Sequence, residues 1–213
     1  MKTFSILLLV LTVFAVLAAV PTQAAERDNW RFEVLLDGKP IGQHSFSLVE
    51  NNGQTQVKTN ANFAVKILGF TAYRYQHNNT ETWQGACLSR MQASTNDNGE
   101  KMIVNGTRSN NGFTVKTAAD NATLPACLKS FAYWNLSHMQ APQLLNSQTG
   151  ELTPVRLQAM GNDNIMAGGQ FTAAKRYRLT GKDLQIDLWY SAQNRWIGLE
   201  SLADGKRIRY VLQ

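Results

Sequence analysis

The chain has 213 residues, 44% of them hydrophobic and 17% charged, with a formal net charge of +6. The charged share is low for a globular protein, and the polar balance comes from Asn, Gln, Thr and Ser. This composition excludes a disordered chain, a collagen-like repeat and a multi-span membrane protein, and so dilute a charge gives no sign of a nucleic-acid partner.

Met1-Lys2-Thr3 makes a short basic start, and Phe4 to Val20 is apolar except for Ser5 and Thr12. Pro21 ends the run, and Thr22-Gln23-Ala24 places small residues three and one before a cut at Ala25. This is the pattern of a cleavable secretory signal over residues 1–24. The apolar stretch approaches spanning length, but the small-residue exit and the turn to Glu26-Arg27-Asp28-Asn29 favour cleavage over anchoring. The expectation is an exported protein, soluble once the signal is removed, with residues 25–213 as a single domain. Both cysteines, Cys87 and Cys127, lie in the exported part. An even count in an oxidising compartment predicts one disulfide, closing a loop of roughly 40 residues and contributing about 4 kcal/mol on the chain-entropy model.

Turn dipeptides punctuate the rest: Asp37-Gly38, Asn52-Gly53, Asn98-Gly99, Asn111-Gly112, Thr149-Gly150, Gly181-Lys182 and Asp204-Gly205. Asn-Gly and Asp-Gly supply the positive φ angles of tight hairpins. Between them the hydrophobic period is two. Trp30, Phe32, Val34 and Leu36 alternate with Arg31, Glu33 and Leu35; Val57 to Ile67 alternate with Gln56 to Lys66. Near the end, Leu184, Ile186, Leu188 and Tyr190 face away from Gln185, Asp187 and Trp189, and Ile208, Tyr210 and Leu212 away from Arg207, Arg209 and Val211. Each such run predicts a strand with one buried and one wet face. The prediction is an all-β fold, an antiparallel meander of about ten to twelve strands curled into a barrel or half-barrel, since curling removes exposed edges. An immunoglobulin-like sandwich is the runner-up, with strands usually shorter than the stretch at 55–67. One segment breaks the period. Over 124–146 the apolar residues at 128, 131, 132 and 139 are spaced as in a short helix, which predicts a helical or loop lid, or a plug, tied by Cys127 to the strand that holds Cys87.

Residues for chemistry are few. His44, His77 and His138 stand 33 and 61 residues apart, without metal-ligand spacing, and no nucleophile, zinc-protease or phosphate-loop motif occurs. Neither a metal, nor a cofactor, nor a catalytic residue is therefore expected. Glu81 shares phase with His77 and Trp83, and a surface position at a strand end is favoured for it over a buried one. The aromatics say more. Phe70, Tyr73, Tyr75 and Trp83 crowd one hairpin, and Phe131, Tyr133 and Trp134 the lid. Apolar rings with polar tips suit the mouth of a cavity that takes an amphipathic ligand. The candidate ligand residues are thus Tyr73, Tyr75, His77, Trp83, Tyr133, Trp134 and His138. The basic residues Lys175, Arg176, Arg178, Lys206, Arg207 and Arg209 fall on outward phases and read as a solvated face, with at most transient contact with a membrane surface.

Some stretches also resemble a family of uncharacterised bacterial exported β-proteins. They are Ser94-Thr95-Asn96-Asp97-Asn98-Gly99, Tyr133-Trp134-Asn135, Leu144-Leu145-Asn146 leading to Thr149-Gly150, and the terminal unit Leu188-Trp189-Tyr190, Arg195-Trp196-Ile197-Gly198-Leu199-Glu200 and Asp204 to Tyr210. The resemblance covers most of residues 28–213. It implies a periplasmic, lipocalin-like or open-barrel fold, and it brings no reaction and no cofactor. Three function classes follow. The first is a binder of a lipid or other apolar small molecule, which needs a cavity of about 300 Å³ or more. The second is an envelope assembly factor with a filled barrel. The third, ranked last, is a hydrolase or isomerase using His44, His77, Glu81 or His138.

Overall fold

The computed structural model describes residues 26–67, 70–203 and 205–213. The expected signal segment, 1–24, lies outside them, as does Asp204 of the last Asp-Gly turn.

Fifteen strands among the described residues form one sheet: β1 (Glu26–Leu36), β2 (Lys39–Asn51), β3 (Gln54–Ile67), β4 (Phe70–Gln84), β5 (Cys87–Asp97), β6 (Glu100–Ser109), β7 (Gly112–Lys116), β8 (Asn121–Leu124), β9 (Lys129–Ser130), β10 (Gln143–Leu145), β11 (Leu152–Ala167), β12 (Gln170–Gly181), β13 (Leu184–Tyr190), β14 (Trp196–Ala203) and β15 (Lys206–Leu212). Their order is β8 through β1, then β15 down to β9. Each neighbouring pair is antiparallel except β9 with β10. The all-β meander is thus as predicted. Its strand count is higher because β8, β9 and β10 are too short to show a period of two. One continuous sheet also sets the sandwich aside.

The hairpin chemistry works as the dipeptides promise. In Asp37-Gly38, Asn52-Gly53 and Asn98-Gly99 both residues have positive φ, 47° and 80°, 51° and 71°, 50° and 104°, the geometry that continues the right-handed twist of the flanking strands. Twist over so many strands curls the sheet. Its two outermost strands are consecutive in sequence, and the link 125–128 joins β8 at one edge to β9 at the other. Five residue steps span at most about 18 Å, so the edges lie close, yet no ladder joins them. The result is an unclosed barrel with a seam.

Inside the curl, Trp30, Phe32, Phe46, Val57, Trp83, Leu88, Met91, Phe113, Leu188 and Trp196 share one buried cluster. The segment after Cys127 enters it. Leu128, Ala132 and Met139 are buried there, and His138 lies flat on Trp83 at 4.4 Å between ring centres. Of the predicted alternatives, helix or loop, the segment takes the loop. Besides the two-residue β9 there is a chain of turns and a single 3-10 turn at His138–Gln140. The Asn135 carboxamide oxygen accepts from the N–H and hydroxyl of Ser137, which stabilises turn rather than helix. The helix-like spacing reflects burial on several sides, and of the two expected roles, lid or plug, the segment is the plug. Cys87 and Cys127 are bonded, with Cα atoms 4.8 Å apart, and next to them the Leu88 N–H donates to the Leu128 carbonyl at 3.2 Å. As predicted, the bridge ties this segment to β5.

A second departure lies outside the curl. Trp189 and Asp187, expected on a wet face, are both buried. The β11–β12 hairpin outruns its neighbours and bends at a bulge between Ala159 and Gly161. Its far half folds over the outer face of β13 to β15. Ile165, Ala167 and Ala174 pack there against Trp189 and Ile197. Gly198 lies directly beneath: a Cβ on it would come within 2.7 Å of Ile165 Cδ1, so that side chain would have to shift. The Gly168 N–H donates to the Leu212 carbonyl at 2.8 Å, which pins the tip.

Candidate functional site

β4 builds one wall of the interior. Its inward positions carry Tyr73, Tyr75, His77, Asn79, Glu81 and Trp83, two residues apart as a pleated strand requires. A cavity of ≈ 260 Å³ opens in front of it, between β4, strands β2 and β15, the plug and the turn before β11. Tyr75, His77, Asn79 and Glu81 line it from β4, His44 and Phe46 from β2, Tyr210 from β15, and Phe131, Tyr133 and Trp134 from the plug. The volume falls short of the ~300 Å³ at which ligand pockets begin, so a whole lipid does not fit. A second hollow of ≈ 790 Å³ follows the seam between β8 and β10–β11, with Ala122, Leu124, Leu152 and Pro154 on its walls. The two share Phe131, Asn146 and Leu184. The seam hollow therefore adjoins the cavity across these three residues.

Of the predicted ligand residues, Tyr75, His77, Tyr133 and Trp134 meet in this cavity. Tyr73 stands at its rim, where its hydroxyl donates to Asp97 at 2.6 Å. The Tyr75 hydroxyl donates to Gln148 at 2.9 Å, and the Gln148 amide reaches the other Asp97 oxygen at 3.5 Å, completing a hydrogen-bonded rim. Trp83 and His138 lie one layer lower, stacked beneath Trp134, whose ring meets Trp83 edge-on at 5.9 Å. Phe70 takes no part and is 79% exposed at the start of β4. Sequence reasoning missed Asn79, Phe46, Tyr210, Ser147 and Gln148. Asn79 shares the phase of His77 and was legible in principle. Ser147 and Gln148 sit in a turn and carry no periodic signal.

Glu81 is the main correction. It is 5% exposed, not at a surface strand end. Asn79 donates to one of its oxygens at 3.0 Å and the Trp83 indole to the other at 3.1 Å. Burial pushes its carboxyl above the usual range, against these donors and the neighbouring Ser130 hydroxyl. Among the described residues no cationic side chain pairs with it. The histidines shift the other way. Burial lowers His44 to about 3, with His77 adding to the effect, and lowers His77 and His138 to about 4. All three rings are neutral at pH 7. Burial likewise pushes Tyr75 up to about 12.

Several buried polar atoms on this wall have no partner among the described residues: His44 Nε2, Asn79 Oδ1 and Trp134 Nε1. Such atoms are costly unless something hydrogen-bonds to them. Ser147 Oγ lies 3.2 Å from His77 Nε2, and Thr95 Oγ1 2.8 Å from His77 Nδ1. That spacing suits a nucleophile and base, but a ring lowered to about 4 is a weak base at neutral pH, and its orienting partner is a hydroxyl rather than a carboxylate. No three or more His, Cys, Asp or Glu among the described residues are grouped to hold a metal. No described helix is long and apolar enough to cross a membrane. The outward basic residues are largely matched: Arg178, Asp187, Glu200 and Arg209 form a cross-strand row, with Arg178 bidentate on Asp187 at 2.7 and 2.9 Å.

A family described as a domain of unknown function, DUF6134, matches residues 32–213. Among solved structures, the chain is similar to a β-barrel-like protein of the domain of unknown function DUF1849 from Brucella abortus. The likeness has a TM-score of 0.63 at 9% identity and covers 91% of this chain and 98% of that one. It concerns the fold alone. No curated protein matches the chain.

Proposed function

We propose, for a chain that belongs to the DUF6134 family of unknown function, that the curled sheet holds one end of a lipid or other amphipathic small molecule, and that it does so in the periplasm after export. The observation that carries this reading is the set of unpartnered buried polar atoms, His44 Nε2, Asn79 Oδ1 and Trp134 Nε1, around one aromatic-walled cavity. A polar head entering there would satisfy atoms that otherwise cost the folded state. The seam hollow, whose wall carries Ala122, Leu124, Phe131, Leu152, Pro154 and Leu184 between the charged Asp120, Glu151, Lys182 and Asp183, would take the chain that the small cavity cannot. Export is supported by the basic, apolar and small-residue pattern of residues 1–24 and by the bonded cysteines.

The filled lower interior, with Trp83, Trp134, His138 and Met139 packed together, favours a second reading, an assembly protein that binds nothing inside. Native mass spectrometry of protein from its own periplasm, beside Trp134→Ala, separates the two. We expect the wild type to carry a co-purified small molecule, and Trp134→Ala to lose it while keeping its strand content. Truncating a packed Trp costs up to about 3–5 kcal/mol, less here because this ring is half-buried. A wild type that carries nothing, beside a variant that merely unfolds, would establish the second reading instead.

A further inference from the structure

We propose that the end of the ligand held in this cavity is a protonated amine, which unlike a quaternary ammonium can donate to Asn79 Oδ1 and His44 Nε2, and that Glu81 is its counter-charge. The inference rests on the binding reading above and names the head group. Three observations carry it. Glu81 lines the cavity, is 5% exposed, and accepts on both oxygens from neutral donors with no cationic side chain beside it. Asn79, 7% exposed, lines the same cavity and holds a carbonyl oxygen that is buried without a partner among the described residues, which adds an acceptor and no positive charge. Rings from three parts of the chain, Phe46, Tyr75, Tyr133 and Trp134, complete the wall. A carboxylate, a free acceptor and aromatic faces together recognise an ammonium head and repel an anionic one.

The charge balance fixes a measurable consequence. With the cavity empty of cations, burial favours the neutral carboxyl on Glu81. When an ammonium enters, the carboxyl releases its proton to solvent and the carboxylate pairs with the incoming charge. Binding therefore releases protons at a pH below the carboxyl's raised midpoint and tightens as pH rises through it. The other titratable groups facing this space do not imitate that behaviour. His44 on β2 and His77 on β4 are already neutral at pH 7, as is His138 below them. Tyr75, Tyr133 and Tyr210 are pushed up by burial. Lys129, near His138, donates to the Ala86 carbonyl, and Asp97 is engaged at the rim by Tyr73 and Gln148.

The test is calorimetric titration of the full mature protein with three probes of equal chain length: decylamine, decanol and decanoate. Each is run between about pH 5 and about pH 8 in two buffers of different ionisation enthalpy. We expect decylamine to bind about 10-fold or more tighter than decanol, with decanoate weakest, and the decylamine heat alone to depend on the buffer. Glu81→Gln should bind decanol as before and lose both the amine preference and the buffer dependence. The buffer dependence is read on the wild type, so a poorly folded variant does not remove the test. Decanol or decanoate binding as tightly as decylamine, or no proton release, would overturn the cationic head and leave the binding site standing. Binding of none of the three would overturn the site itself.

Discussion

His44, His77 and His138 each shelter a neutral imidazole inside the curl, and the consequence is a stability that falls in acid. A group whose folded pKa is depressed takes up protons more readily when unfolded, so stability is lost as pH falls from the ordinary value of about 6.5 toward the folded values of about 3 to 4. Each ring contributes at most about 1.4 kcal/mol per pH unit across that window. Glu81 works in the opposite sense: its folded pKa is raised, so its contribution is present at low pH and is lost as pH rises through the raised midpoint. Three histidines outweigh one carboxyl, and urea unfolding should show a lower midpoint at about pH 5 than at about pH 7. His77→Gln, which keeps a partner for Thr95 and Ser147, should remove about a third of that drop. An acid-insensitive wild type would mean that the three rings are not held neutral.

At the scale of elements, legibility depended on whether a residue's surroundings were set by its own strand. β1 and β3 alternate in burial because one face of each meets the curl and the other meets solvent, whereas β13 and β15 keep the period of two in sequence only, since their outer face is covered. Tyr75 and His77 were recoverable in the same way, from phase along β4. The plug was not, because its apolar residues are buried by strands from the whole sheet and their spacing follows no single face. Trp189 was misread for a related reason. Its phase was right, but the outer face is covered by a hairpin whose residues, Ile165, Ala167 and Ala174, lie well outside β13 in sequence. That cover is testable. Ile165→Ala removes the side chain that sits on Gly198 and should cost about 2 kcal/mol. Amide exchange should quicken over 161–174, while the strands around the interior cavity, on the opposite face, keep their protection. If protection is lost across β4 and β15 as well, the hairpin is not an independent cover but part of the main cooperative unit.

At the scale of the whole molecule, the sheet manages its edges by making them short and joining them directly, β8 to β9, within the span of four linking residues. The cavity exists where the curled sheet meets the plug and the turn before β11: Glu81 and Ser147 are far apart in sequence, and no local pattern announces that they share a space. The start of the fold bears on export in a similar way. β1 begins at Glu26, and its residues from Glu26 pair with β2, so a cut before Ala25 removes no paired residue. Just inside it, Asp28 forms an ion pair with Arg195, whose guanidinium also donates to the Asn29 carbonyl at 2.7 Å and lies 4.8 Å from the centre of the Trp30 ring. The first strand is thus fastened close to the expected mature terminus, by contacts that a precursor and a mature chain can make equally. We therefore expect intact-mass measurement of the periplasmic protein to show a chain that starts at Ala25, with stability unchanged relative to a chain carrying a short added tail. Deleting onward through Asp28 should cost about 1 kcal/mol, the scale of an exposed ion pair with its associated contacts. Recovery of the full-length chain in the inner membrane fraction would make residues 1–24 an anchor, and the protein a tethered one.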